Sequence, residues 1–250
     1  MSGFSSDWLA LRAGADDRAR DADLRAAFLK ALPPTPRLLD LGSGTGATAR
    51  ALGVPGAQWT LTDNDAALLA EAGRRVPGAR ILRADLARDL DTVMAQEADA
   101  ITASALFDLV SEDWITKFAR LARSRVVYAA LTYDGTESWS PDHPADLAVS
   151  RAFDAHQRRD KGFGPAVGPT GATVLAKALE AEGYTVTLAP SPWKLERGRD
   201  GALMDALADG IAGAAVEAGC DVAEAEAWRT ARRGAERCTT GHLDLLAVRV

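Results

Sequence analysis

The sequence predicts an α/β protein whose doubly wound, mostly parallel sheet carries helices on both faces. Three observations lead there. Short apolar runs alternate with helical patterns from Arg37 to Thr132, the arrangement that parallel strands with crossover helices require. The first run, Arg37-Leu38-Leu39-Asp40-Leu41, passes straight into Gly42-Ser43-Gly44-Thr45-Gly46, a tight strand-to-helix turn. The chain has 250 residues, 47% hydrophobic and 26% charged, enough to bury a full core as one domain.

An amphipathic helix is expected over Ala15–Leu32, with Leu24, Phe28 and Leu32 at helical spacing. Pro33, Pro34 and Pro36 end it. Strand Arg37–Leu41 then precedes helix Ala47–Leu52, and strand Gln58–Thr62 precedes helix Ala66–Arg75. Strand Ala79–Arg83 leads to a helix near Leu90–Gln96, strand Ala98–Ala103 to one near Ser111–Arg123, and strand Arg125–Thr132 follows. Asp134 to Pro169 holds many Gly, Pro, Asp and aromatic residues and reads as an insertion over the sheet's carboxyl edge, with a short helix near Asp146–Arg159. Thr170 caps helix Ala172–Glu182, which Gly183 ends. Strand Tyr184–Ala189, two alanine-rich helices over Gly201–Gly219 and Val222–Glu236, and strand Leu243–Val250 complete the chain. The helices within Gly201–Glu236 either pack on the sheet or offer a homodimer face. The domain thus divides into an N-terminal helical segment (1–36), a cofactor-binding core (37–135), a lid-like insertion (136–169) and C-terminal helices and strands (170–250), with seven strands in all.

A net charge of −6 disfavours nucleic acid, whose phosphates normally select a basic footprint. No apolar run reaches the ~18 residues of a membrane span. The opening Met1–Asp7 shows no secretory pattern. Cys220 and Cys238 fit neither a disulfide framework nor a metal knuckle, so a reducing cytoplasm is the expected setting. His143, His156 and His242 lack ligand spacing, so no metal is expected.

Ligands of such sheets sit outside the carboxyl ends of the strands, and four signals fall there in register. Asp40, Gly42, Ser43, Gly44 and Gly46 form a turn where bare backbone meets a ligand. Asp63, followed by Asn64, ends the second strand about 20 residues on, where a carboxylate accepts from both ribose hydroxyls. Asp85 and Leu86 follow the third strand, where an acid accepts from an adenine amino group. Ser104-Ala105-Leu106-Phe107-Asp108 follows the fourth, beside the reacting centre. Each acid has a plainer reading as a helix or turn cap.

With these residues the chain resembles the class I S-adenosylmethionine-dependent methyltransferases. Leu39–Gly46 looks like that family's first motif, Asp63 stands where its ribose-binding acid is found, and Ala84-Asp85-Leu86 where its adenine-contacting acid is found. Ala103–Asp108 looks like its fourth motif, next to the transferable methyl group, which Ser104 would approach. The resemblance covers residues 37–135 well and the rest by topology. It implies a Rossmann-like sheet whose last strand runs antiparallel, and S-adenosyl-L-methionine as methyl donor with S-adenosyl-L-homocysteine as product. Gly42–Ala47 also satisfies a relaxed dinucleotide fingerprint, so an NAD(P)-dependent oxidoreductase and a catalytically silent cofactor-binding scaffold are the competing readings. Asp40 weighs against the former, because a carboxylate repels a pyrophosphate and favours a sulfonium and an ammonium group.

On the acceptor side, Tyr133, at the end of the fifth strand, and His143, held between prolines, are the catalytic candidates. Leu106, Asp108, Trp139, His156 and Phe163 are candidates for the acceptor pocket. There is no Asn-Pro-Pro-Tyr-like segment, no cysteine near a strand end and no appended RNA-binding module. By elimination the acceptor is a small molecule, methylated at oxygen or nitrogen by in-line displacement, with neither nucleic acid nor membrane as partner.

Overall fold

The computed structural model describes residues 5–249. Met1–Phe4 of the N-terminal reading, and Val250 at the end of the expected last strand, lie outside the described residues. One sheet of eight strands runs in the order β3-β2-β1-β4-β5-β8-β6, and β7 pairs with the far end of β8. Strands β1 (Arg37–Leu41), β2 (Gln58–Asp63), β3 (Arg80–Arg83), β4 (Ala100–Ser104) and β5 (Val126–Ser140) run parallel. Strand β8 (Arg237–Val248) lies antiparallel to β5, β6 (Thr185–Pro190) and β7 (Trp193–Glu196). The reversed last strand is as expected, and β7 brings the count to one more than the sequence suggested. Helices α3 (Ala47–Leu52), α4 (Ala66–Arg75), α5 (Leu90–Met94) and α6 (Glu112–Ala122) connect the parallel strands.

The expected helix Ala15–Leu32 is instead two: α1 (Ser6–Ala19) and α2 (Ala22–Ala31). Arg20 and Asp21 take extended backbone between them, and the Asp21 carboxylate caps α2 by accepting from Leu24 N at 2.7 Å. The Asp21 N–H donates to the buried Asp244 carboxylate at 3.0 Å. A long-range anchor therefore overrides helical propensity at this point.

The insertion also begins later than expected. Asp134–Ser140 continues β5 rather than forming a loop, pairing with β8 through Ser140 opposite Arg237. Asp134-Gly135 forms a bulge: the register shifts between Tyr133 and Glu137, and Gly135 takes φ 86°. Helix α7 (Asp146–Gln157), a 3₁₀ turn at Gly168–Thr170 and α8 (Gly171–Ala181) follow. Thr170 stands at the N-cap of α8, but its hydroxyl donates to Val167 O at 2.9 Å and makes no side-chain cap.

Three apolar clusters hold these layers. One lies between the sheet and α5, α6 and α8, around Phe107, Phe118 and Leu175. A second lies on the opposite face with α2, α3 and α4, around Phe28, Leu52 and Tyr128. The third sits beyond the sheet's edge, where α9 (Arg197–Glu217) and α10 (Val222–Arg232) bury Leu203, Met204, Ile211 and Trp228 against Trp139, Val149 and Trp193. No helix among the described residues is long and apolar enough to cross a membrane.

Candidate active site

The glycine turn after β1 is rigidly held. Gly42 and Gly44 take φ 64° and 52°, a region L side chains avoid. A Cβ on Gly44 would lie 2.9 Å from Leu9 Cδ1 of α1. Ser43 anchors the turn: its N–H donates to Thr62 O at 2.8 Å, and its Oγ accepts from Thr62 N at 2.8 Å and donates to Asp40 O at 3.0 Å. Gly46, at φ 76°, starts α3 and packs on Val76 rather than facing a cavity.

Asp63, at the end of β2, accepts from Gly44 N at 2.9 Å and from Asp65 N at 3.0 Å. Each oxygen keeps further accepting capacity, and Asp63 lines a cavity of about 220 Å³. That cavity is also lined by Gly42, Ser43, Gly44, Asn64, Leu68, Ala84, Leu86, Ser104, Leu106 and Phe163. Asp85 does not line it: its carboxylate accepts from Ala87 N at 3.0 Å and faces Arg88. It therefore fills the capping role that competed with the adenine reading, and Ala84 and Leu86 supply the apolar wall there.

Asp40 lies wholly buried beneath the turn. Its Oδ1 accepts from Thr102 Oγ1 at 2.6 Å, and Oδ2 has no partner. Burial pushes its pKa up to about 7, against the pull of the Thr102 and Ser43 hydrogen bonds and of Arg20. Arg20, also buried, donates to Ser104 Oγ at 3.0 Å and leaves Nε and Nη1 unpaired, and it lines the same cavity. Sequence reasoning missed Arg20, Arg12 and Asp16. Their i, i+4, i+8 spacing was visible, but a row of alternating charges usually faces solvent. Here Arg12 and Asp16 are buried and doubly bonded, at 2.9 and 3.1 Å.

A second cavity, of about 510 Å³, adjoins the first and shares Arg12, Ala105 and Leu109 with it. Its walls are Trp8, Leu131, Phe153, Trp193, Leu207 and Ile211, with Asp108, Tyr133, Glu137, Lys161 and His242 as polar groups. Asp108 is fixed by the close approach of α8: a Cβ on Gly171 would lie 2.6 Å from Phe107 O, and Gly168 N donates to Asp108 O at 3.1 Å. Burial raises the pKa of Asp108 to about 6 and that of Glu137 to about 7. Tyr133 Oη donates to Asp154 at 3.2 Å, and burial beside Asp154 and Glu137 holds the phenol firmly protonated. His242, which the sequence offered only as an unremarkable histidine, is driven down to about 3 by burial and Arg12, and stays neutral.

Other acceptor-side candidates lie elsewhere. Leu106 and Phe163 line the first cavity, not the second. His143 faces neither, because its Nδ1 accepts from Ala145 N at 3.2 Å and its N–H donates to Asp146 at 2.8 Å, stapling the turn into α7. Trp139 packs edge-on to Trp228, with ring centroids 5.7 Å apart, and beneath the Arg232 guanidinium. His156 pairs with Glu217 at 3.1 Å and Lys161 at 3.3 Å on the surface of α7.

Residues 38–127 match the profile of a family described as a methyltransferase domain. The core of this chain carries a methyltransferase domain. The match begins at β1 and runs into β5, and so contains the glycine turn, Asp63 and the segment after β4. Similar folds include a cyclopropane-fatty-acyl-phospholipid synthase-like protein from Lactobacillus casei, 15% identical, with a TM-score of 0.54 over 98% of this chain and 94% of that one. A putative methyltransferase from Bacillus halodurans is 12% identical, with a TM-score of 0.52 over 91% and 99%. A mycolic acid cyclopropane synthase, CmaA1, complexed with SAH and CTAB, is 15% identical, with a TM-score of 0.52 over 89% and 82%. At such identities the likeness shows the fold. No curated protein matches the sequence.

The methyltransferase takes its methyl group from S-adenosylmethionine, whose sulfonium supplies an activated methyl and a good leaving group. The residues present fit it. Asp63 and the unpaired guanidinium N–H groups of Arg20, both on the cavity wall, match a ribose- and amino-acid-bearing ligand, whereas Asp40 does not line the cavity and lies beneath it.

Proposed function

We propose that the methyltransferase acts on a small molecule held in the 510 Å³ cavity, with S-adenosylmethionine in the adjoining one. The observation that carries this reading is the shared wall: Arg12, Ala105 and Leu109 border both spaces. A nucleophile in one therefore reaches a methyl group presented from the other. The second space is walled by aromatic and aliphatic groups, including Trp8 of α1 and Leu207 and Ile211 of α9, which suits a compact acceptor rather than a polymer.

In this arrangement Asp63 would accept from the ribose hydroxyls, and Asn64, Leu68, Ala84 and Leu86 would hold the base. Arg20 binds the amino-acid carboxylate, and Asp40 balances positive charge from beneath the turn. Alignment and exclusion of water then supply most of the acceleration. The two cysteines are free, which supports a reducing, cytoplasmic setting.

Calorimetry with S-adenosylhomocysteine tests the assignment. Asp63→Ala and Arg20→Ala should each weaken binding at least about tenfold, or roughly 1.4 kcal/mol. Unchanged affinity in both variants would remove the cofactor from this cavity.

A further inference from the structure

We infer that the acceptor is an amine on an apolar body and that Asp108 takes its proton as the methyl group is transferred. This rests on the two-cavity reading above and goes further by naming the nucleophile.

The charges around the chamber are unbalanced. Arg12 is committed to Asp16 through two hydrogen bonds, and Trp193 Nε1 donates to the same carboxylate at 3.0 Å. Asp160 is occupied by the N–H groups of Gly162 and Gly164, at 2.6 and 3.0 Å. The Lys161 ammonium lies against His156 Nδ1 at 3.3 Å. Asp108 and Glu137 remain; Arg12 and Lys161 attract Asp108 from a distance, but among the described residues neither carboxylate has an ion-pair partner in contact. Glu137 accepts from Trp139 Nε1, whereas Asp108 Oδ1 is buried with no partner at all.

An unpaired buried carboxylate oxygen asks for a hydrogen donor from the ligand. The neighbouring His242 Nδ1, buried and also without a partner, offers a second polar contact. Aromatic walls from Trp8, Tyr133, Phe153 and Trp193 complete the setting. Carboxylates among aromatic rings favour an ammonium group and repel an anionic acceptor. Asp108 is also well placed in sequence. It lies between Ala105 and Leu109, the residues that border both cavities, so its carboxylate stands near where the nucleophile meets the methyl group.

The step balances. The bound ammonium gives one proton to an Asp108 oxygen, and the freed nitrogen pair forms a bond to the methyl carbon. The carbon–sulfur bond breaks and its electron pair stays on sulfur. The products are an N-methylammonium, a protonated Asp108 and a neutral thioether, with total charge unchanged.

Phenethylamine, 2-phenylethanol and phenylacetate, which share a ring and differ in polar end, serve as probes. Titrated into protein saturated with S-adenosylhomocysteine, the amine should bind at least about tenfold tighter than the other two. Asp108→Asn should lower methyl transfer to phenethylamine by about a hundredfold, while S-adenosylhomocysteine affinity stays as in the wild type. Glu137→Gln, which keeps the shape, should weaken the amine by about threefold or more, so the charge argument stays testable if Asp108→Asn does not fold. Stronger binding of the alcohol or the acid, binding of none of the three at millimolar concentration, or full turnover in Asp108→Asn overturns the proposal. Failure of the wild type to bind S-adenosylhomocysteine would instead overturn the two-cavity reading itself.

Discussion

Asp40 has a carboxylate with no exposed surface and one unpaired oxygen, directly beneath the cofactor turn. Its pKa rises from the ordinary 3.8 to about 7, chiefly through burial. Below pH 3.8 the folded and unfolded chains both hold the proton, and the group makes no pH-dependent difference. Between 3.8 and about 7 the unfolded chain releases the proton while the folded one retains it, so stability falls as pH rises. Above about 7 both forms are ionised and the loss levels off. Urea unfolding of ligand-free Asp40→Asn should therefore gain on the wild type across that window and plateau above it. A pH-independent difference would show that Asp40 ionises freely. Asp40, Asp63 and Ser43 were legible in the sequence because their spacing from the glycines places them. The idle state of Asp85 was not, because only the local fold shows its carboxylate bonded to Ala87 N.

Helix α1 does unusual work for an element without an apolar stripe. It buries Arg12 and Asp16 and, with Arg20 at its C-cap, brings Leu9, Arg12 and Asp16 to the first cavity. Cofactor binding should therefore order it. Hydrogen exchange of α1 amides should slow by about tenfold or more when S-adenosylhomocysteine is bound, while the edge strand β3 changes little. Equal slowing in both would point to global stabilisation instead. The break at Arg20-Asp21 and the bend of β5 past Tyr133 explain why these elements were misread. A helical pattern ran through the first, and a stretch rich in Gly, Pro and Asp followed the second. Asp244, far along the chain, anchors Asp21, and Gly241 leaves room for Asp134 and Thr136 across the strands.

At the scale of the molecule, the third cluster is a separate support for the second cavity. Trp228 is buried against Trp139 and donates to Asp146 at 2.7 Å, and Arg232 donates to the same carboxylate oxygen at 2.7 Å. Arg232 lies between the two indoles, 5.8 and 5.5 Å from their ring centroids. Trp228→Ala should cost about 3–5 kcal/mol of stability in urea unfolding. Below its melting temperature, the affinity for S-adenosylhomocysteine should stay within about threefold, because the cluster does not border the cofactor cavity. A matching loss of affinity would mean that the clusters act as one unit.

What the sequence determined by itself is the cofactor half. Alternating strands and helices, a glycine turn after the first strand and an acid after the second are local patterns. Local patterns survive folding because backbone geometry dictates them. The acceptor half was decided by tertiary structure. His143, Trp139 and His156 had suitable chemistry but were drawn into structural contacts, while Arg12, Glu137 and His242 came from segments widely separated along the chain. A side chain's solvation and partners depend on what packs over it, and linear spacing does not carry that information.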